Sequence, residues 1–307
     1  MQQDRDFPLH ARVLHKHIET TLKTTKLLQL MAAIGFAASA ASSQAADFSE
    51  NIIGFRTGST FSEPATGNGN ISKNIYSFTH VSGDKLGKNL VVAEVLDSTK
   101  NETASGGSGN ATEFYGIYRR TFSFAKMTGN PVTFGPVKDV NLVGRLDFQT
   151  KNITFAPRSR KMIVGASVDF AVPKGFVESG IYLFNESNHY YVFQGPVLGA
   201  KTGDVRFKST YMLDTSWLIP FNVGTPAKWM GSLTYVGAKG KDGLGNDTKA
   251  ETRLFTSVMF DVGTNSGFAV GVGLEAWRNK YGNNPATTPA PSGTSQNTLM
   301  LMAEYKF

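Results

Sequence analysis

His80 and Ser82 stand two residues apart in the stretch SFTHVSGDKLGKNLVVAEVLDS, Ser77 to Ser98. Serine hydrolysis needs a hydroxyl within hydrogen-bond reach of an imidazole, and a third group that fixes the imidazole tautomer. Positions i and i+2 of a strand share a face, so the pair meets the first condition. A second chemistry is open to charged and aromatic residues that recur at alternate positions, opposite apolar rows. Arg56, Glu94, Arg145, Asp147, Glu178, Tyr182, Phe184, Arg253, Phe255, Glu275 and Trp277 are such residues. Together they offer hydrogen bonds, charge and stacking planes to a small solute passing in series. For each charge, a structural ion pair across the interior is the competing role.

The elements that must position these residues read as strands. In TLMLMAEYKF, Leu299, Leu301, Ala303, Tyr305 and Phe307 fall on one face, and Met300, Met302, Glu304 and Lys306 on the other. FAVGVGLEAW sets Val270, Val272, Leu274 and Ala276 against Gly271, Gly273, Glu275 and Trp277. KDVNLVGRLDFQ sets Val140, Leu142, Leu146 and Phe148 against Asp139, Asn141, Arg145 and Asp147. Apolar-out, polar-in alternation is the signature of a membrane barrel, and its averaged hydropathy looks soluble. About twelve such blocks, among them 51–61, 205–219 and 298–307, run along the chain, an even count that suits a bacterial antiparallel barrel.

Connections alternate in character. Gly83-Asp84, Pro173-Lys174-Gly175 and Thr264-Asn265-Ser266 are tight, and those around Lys126 to Gly135 and Pro220 to Pro226 are moderate. Their counterparts, among them Thr99 to Ala111, Ser187 to Asp204 and Tyr281 to Asn297, are mostly longer and polar. Short turns on one side and long loops on the other match a barrel whose N- and C-termini both face the periplasm. TKNETASGGSGNAT and NNPATTPAPSGTSQN are low-complexity outer loops in this reading, because strand patterning resumes on both sides.

Bulk composition narrows the classes. None of the 307 residues is cysteine, which excludes thiol nucleophiles, thiolate metal sites and disulfides. A hydrophobic content of 40% and a mean hydropathy of −0.19 are too polar for a helical membrane bundle. The 32 Gly, 22 Phe and 10 Tyr match tight barrel curvature and aromatic girdles.

Residues Lys23 to Ala45, KTTKLLQLMAAIGFAASAASSQA, have the charged, apolar and small-residue order of a secretory signal. Ser43 and Ala45 fit positions −3 and −1, so residues 1–45 are read as an N-terminal extension with a cleaved signal peptide, and 46–307 as the barrel. The mixed charges before Lys23 suit no signal, and initiation at position 22 gives a compact one. Residues 46–307 keep 26 of the 31 basic and 21 of the 24 acidic side chains, a net charge of about +5. Export makes nucleic acid a poor target for that charge. An anionic solute or a lipopolysaccharide-rich surface suits it better.

The stretch THVSGDKLGKNLVVAEV, Thr79 to Val95, resembles the strand-turn-strand segment of the Tsx-like nucleoside-specific channel family. Thr79, His80, Ser82, Lys85, Gly87, Asn89 and Glu94 carry the likeness, and EFYGIYRR (Glu113 to Arg120) and GLEAWRNKYG (Gly273 to Gly282) are similar to family segments. It spans about 51–307. Asp84 stands where the family often has an aromatic, and Leu90-Val91-Val92 are aliphatic where its run is aromatic-rich. The resemblance implies a monomeric outer-membrane barrel that passes nucleosides and related small solutes passively, with no enzyme activity, cofactor or metal. The terminal Phe307 resembles the signal that bacterial barrel-assembly machinery recognises.

Two alternatives stand beside the channel: an outer-membrane lipid deacylase using His80 and Ser82, and an adhesion or surface-structural barrel. Barrel lipases act on the outer leaflet, whereas this pair lies beside the tight turn at Gly83-Asp84, and no Ser-Asn-Gly follows the histidine. The pair is therefore expected to tie a strand end to its turn.

Overall fold

The computed structural model describes residues 47–64, 69–107, 109–194, 197–287 and 291–307. The signal-peptide reading of 1–45 and the start at Ala46 lie outside the described residues. Thirteen strands run in chain order: β1 (Phe48–Phe61), β2 (Ile71–Asp84), β3 (Gly87–Lys100), β4 (Thr112–Ser123), β5 (Val137–Lys151), β6 (Arg158–Phe170), β7 (Phe176–Gln194), β8 (Val197–Arg206), β9 (Thr210–Asn222), β10 (Pro226–Val236), β11 (Glu251–Asp261), β12 (Phe268–Arg278) and β13 (Gln296–Lys306).

Each strand pairs antiparallel with its neighbours, and β1 pairs with β13 in the register Ile52 to Lys306 through Thr57 to Leu301. The joint is completed where Phe307 N donates to Asn51 O at 2.9 Å and Asn51 N to Phe307 O at 3.2 Å. β6 pairs with β7, and the inner part of β7 (Phe176 to Phe184) pairs with β9. The result is a closed ring of twelve strands, with β8 as an extra strand on the far part of β7. Closure leaves no strand edge in the ring, the condition for crossing hydrocarbon with strands. No helix among the described residues is long and apolar enough to cross a membrane.

Alternation settles which face meets lipid. On β5, Leu142, Leu146 and Phe148 are exposed while Asp139, Asn141 and Asp147 are buried. On β12 and β13, Val270, Val272, Leu299 and Leu301 are exposed, whereas Glu275 and Met300 are buried. The exterior is apolar and the interior holds the charge, the inverse of a soluble protein. This is an all-β transmembrane barrel of the bacterial outer-membrane type.

Two sequence expectations are corrected. Ser187 to Asp204 is not a loop: β7 runs on to Gln194, and β8 returns against it from His189 opposite Asp204 to Gln194 opposite Val197. The run Tyr190-Tyr191-Val192-Phe193 has no two-residue alternation, and a hairpin outside the lipid layer needs none. The strand expected at 205–219 joins the end of β8 to β9, which begins at Thr210. No Gly or Pro interrupts 205–219 to mark that break.

The turn-side connections are short, as at Asp84 to Gly87, where Asp84 Oδ1 accepts from Leu86 N at 2.9 Å and Gly87 N at 3.1 Å. A short helix, Phe124–Thr128, follows β4; the Ser123 hydroxyl caps it by accepting from Lys126 N, and Gly129 ends it at φ 74°. Lys126 Nζ reaches Asp47 at 2.7 Å and the Asp84 carbonyl at 2.8 Å, tying this helix to the first strand and the first turn.

Candidate functional site

Inside the barrel a cavity of about 250 Å³ is lined by nine of the eleven residues singled out from the sequence: Arg56, Glu94, Arg145, Asp147, Phe184, Arg253, Phe255, Glu275 and Trp277. They come from β1, β3, β5, β7, β11 and β12, so strand alternation alone aims them at one space. Arg56 reaches across β2 to Glu94 in a two-pronged pair, 2.8 and 2.9 Å. Small residues leave the room for this: a Cβ on Gly54 would lie 2.5 Å from the Ser77 hydroxyl of β2. On β5, Arg145 Nε and Nη2 hold Asp147 at 2.7 and 2.8 Å, and Tyr115 Oη donates to the same carboxylate at 2.5 Å.

Arg253 donates to Glu275 at 2.6 Å, and Gln296 Nε2 to the other Glu275 oxygen at 2.5 Å. The Trp277 ring has the Arg253 guanidinium 5.2 Å and the Lys280 ammonium 5.0 Å from its centroid, with Tyr281 edge-on at 5.0 Å. The Phe255 ring carries Arg56 at 5.7 Å. Cations on these aromatic faces are favourable contacts in their own right.

The remaining two expected residues also point inward but lie outside that cavity. Glu178 is buried and accepts from Arg119 Nη2 and from Ser167 Oγ, the latter at 2.6 Å. Tyr182 packs in a buried layer with Val143, Ile163, Phe184, Met212 and Val236. Its ring lies along the wall over Gly180, where a Cβ would fall 2.1 Å from the phenol oxygen.

A second group of charges, not found from the sequence, roofs the cavity on the loop side. Lys73, Lys151 and Lys280 meet Glu63, Glu102 and Glu113, all of them at most 6% exposed. Lys73 is 2.7 Å from Glu63, Lys151 is 2.6 Å from Glu102, 3.4 Å from Glu63 and 3.6 Å from Glu113, and Lys280 is 3.1 Å from Glu63. Lys280 Nζ also donates to the Ser62 carbonyl at 2.8 Å and Gln296 Oε1 at 3.0 Å, which joins this lattice to Glu275. Burial alone would raise the Glu63 carboxyl, but Lys151, Lys280 and Lys73 outweigh it and hold that group well below its ordinary value. Burial pushes the Lys280 ammonium down, an effect that Glu63 opposes and Lys73 reinforces.

His80 and Ser82 are on neither wall of this cavity. The cavity-lining residues of β2 are Lys73 and Ile75, so the even-numbered His80 and Ser82 belong to the opposite, outward face. His80 Nδ1 lies 2.9 Å from Asn51 Oδ1 on β1, its partner in register. The buried Ser82 hydroxyl has no hydrogen-bond partner among the described residues, so no nucleophile-base contact is made. The pair sits beside the Asp84 to Gly87 turn, at the turn-side end. No group of three or more His, Asp or Glu among the described residues is arranged to hold a metal ion.

No protein-family model matches the chain, and no curated protein matches it. Solved structures similar to it include the translocator domain of the autotransporter NalP from Neisseria meningitidis, 13% identical over 94% of this chain and 98% of that one, TM-score 0.44. OccAB3 of Acinetobacter baumannii is 9% identical over 86% of this chain and 99% of that one, TM-score 0.32. OprB of Pseudomonas putida is 8% identical over 86% and 94%, TM-score 0.32.

Proposed function

We propose that this protein is an outer-membrane channel for passive diffusion of small polar solutes, with nucleosides as the solute class, and that it is not an enzyme. The observation that carries this reading is the barrel interior: a small cavity enclosed by twelve strands and lined by paired charges and aromatic rings. A twelve-stranded ring has room for a constricted passage rather than a wide aqueous pore. Paired charges offer a solute hydrogen-bond exchange at several levels without a single deep well, the condition for binding and leaving in series. Tyr115, Phe184, Phe255 and Trp277 add rings for a base to meet, and the resemblance to Tsx-like channels points to the same solutes.

In this reading the barrel is a monomer inserted by the barrel-assembly machinery, with lipopolysaccharide around its loop-side rim. The lipid-deacylase alternative draws no support from Ser82, whose hydroxyl has no hydrogen-bond partner among the described residues. The experiment is swelling of proteoliposomes in a panel of nucleosides and sugars of matched size. Faster swelling in nucleosides is expected; equal rates would reduce the reading to an unselective channel, and no swelling in any solute would remove it.

A further inference from the structure

Among the cavity-lining residues, six are basic (Arg56, Lys73, Arg145, Lys161, Arg253, Lys280) and six acidic (Glu63, Glu94, Glu113, Asp147, Glu251, Glu275). Ten of these are engaged in the ion pairs or hydrogen bonds described above, Glu113 also accepting from Gln149 at 2.6 Å. Two are not. Lys161 on β6 makes no direct ion pair or hydrogen bond among the described residues; its ammonium lies 5.6 Å from the Tyr115 ring, and the carboxylates of Glu186, Asp147 and Glu251 act on it through space. Its neighbours in register, Asp147 and Glu186, are already held, Asp147 by Arg145 and Glu186 by Lys239.

Glu251 at the loop-side start of β11 is likewise unpaired. It is 8% exposed, and its Oε2 is buried with no partner among the described residues. β6 and β11 are separated in the ring by β7, β9 and β10, so the two groups come from different walls and face the same space. A buried carboxylate in no direct ion pair is unfavourable unless something supplies one. Here the unfilled positions are one cation and one anion, and the lining as a whole is charge-balanced.

We propose that Lys161 and Glu251 form a subsite for a small zwitterion of the amino-acid class, Lys161 taking the carboxylate and Glu251 the ammonium. A solute with a single charge would satisfy one group and leave the other bare; a neutral solute would give neither its counter-charge. The volume of about 250 Å³ lies below that of pockets for drug-sized ligands, about 300–1,000 Å³, which limits the solute to a small one. This subsite deepens the channel reading, on which it rests for solute entry, by adding a solute class to the same lumen.

The test uses the purified barrel in detergent and in proteoliposomes, with L-alanine as probe and propionate, ethylammonium and glycerol as its single-charge and neutral counterparts. Calorimetric titration is expected to detect L-alanine binding, and Lys161→Gln or Glu251→Gln to weaken it by about tenfold each, the scale of one lost charge-assisted contact. The exchanged variant Lys161→Glu with Glu251→Lys is expected to recover binding, with the zwitterion reversed. Gel mobility without heating is expected to match that of the unaltered barrel in all variants, which reports that they fold. Equal weak binding of all four probes, or single substitutions that leave L-alanine binding unchanged, would overturn the subsite and leave the channel standing. Binding of L-alanine without flux of any solute would retain the subsite and remove the channel.

Discussion

The two ends of the barrel are built on opposite principles, and β13 shows the change along one strand. Its inward positions pass from buried at the loop side (Gln296, Thr298, Met300), through intermediate (Met302, Glu304), to exposed at the turn side (Lys306). β2 repeats the gradient, with Lys73 and Ile75 buried and Ser77, Thr79 and Val81 only partly so. The turn-side lumen along these strands is a vestibule that water enters. The loop-side lumen is narrowed, and Lys73, Lys151 and Lys280 among Glu63, Glu102 and Glu113 do much of the narrowing. A constriction of opposed charges differs from an apolar one in a specific way: its partners can be exchanged for water or titrated, and removing one strands the others.

The largest effect is therefore expected from Lys151→Met. It removes the one ammonium within 4 Å of Glu63, Glu102 and Glu113 together, leaving buried carboxylates short of a counter-charge. Breaking a buried pair this way costs about 3–5 kcal/mol. The matching change at the other end, Lys306→Met, removes an exposed pair with Glu50 at 3.3 Å, worth no more than about 1 kcal/mol. The urea midpoint of the folded barrel, read from its gel mobility without heating, measures both. Equal shifts would mean that the two ends do not differ energetically.

Acid should act on the same end. The Glu63 carboxyl is held well below its ordinary value of 4.5, so its contribution to stability is fully present above that value. It is lost as pH falls below 4.5 through the depressed folded value, because the unfolded chain then binds more protons than the folded one. Single-channel conductance and the urea midpoint, followed downward from neutral pH, are expected to show the loop end loosening. Glu63→Gln should shift the neutral-pH behaviour toward that of acid and flatten the remaining dependence. A wild-type profile indifferent to acid would place the constriction elsewhere.

The difference between the ends also explains what could be read from the sequence. The face of each strand was legible because lipid and lumen alternate with a period of two: Leu142, Leu146 and Phe148 against Asp147 is as clear in sequence as in space. For the same reason all eleven candidate residues point inward. Partnership was not legible. Glu63 and Lys280 are 217 residues apart and leave the ends of β1 and β12, where alternation has stopped and only closure of the ring brings them together. The β7 and β8 hairpin was missed because outside lipid nothing imposes a two-residue rhythm on Ser187 to Asp204.

A smaller effect is expected where lattice and cavity meet. Trp277 lies under Lys280 and beside Arg253, and its indole nitrogen is buried without a partner among the described residues. Stacking of a base on an indole contributes about 1–3 kcal/mol. Trp277→Ala is expected to lower the adenosine-to-sugar flux ratio in proteoliposomes while general flux persists or rises, and Trp277→Phe to restore part of the ratio. An unchanged ratio would mean that the cations on this ring, rather than the ring itself, meet the solute.

The smallest effect is expected from Ser82→Ala, at the turn-side end and on the outer wall. A buried hydroxyl without a partner contributes no hydrogen bond to the fold, and its removal exposes no other group, since His80 Nδ1 is engaged by Asn51. Solute flux and the urea midpoint should both stay close to those of the unaltered protein. The substitution also separates structure from chemistry, because a hydrolytic serine would lose its activity entirely while the barrel stayed intact. Release of fatty acid from phospholipid vesicles, measured with both proteins, is expected to be at background in each. A wild-type signal that this one change abolished would show the outer wall doing chemistry, and the contrast between a charge-lined loop end and an inert turn end would then have to be redrawn around His80.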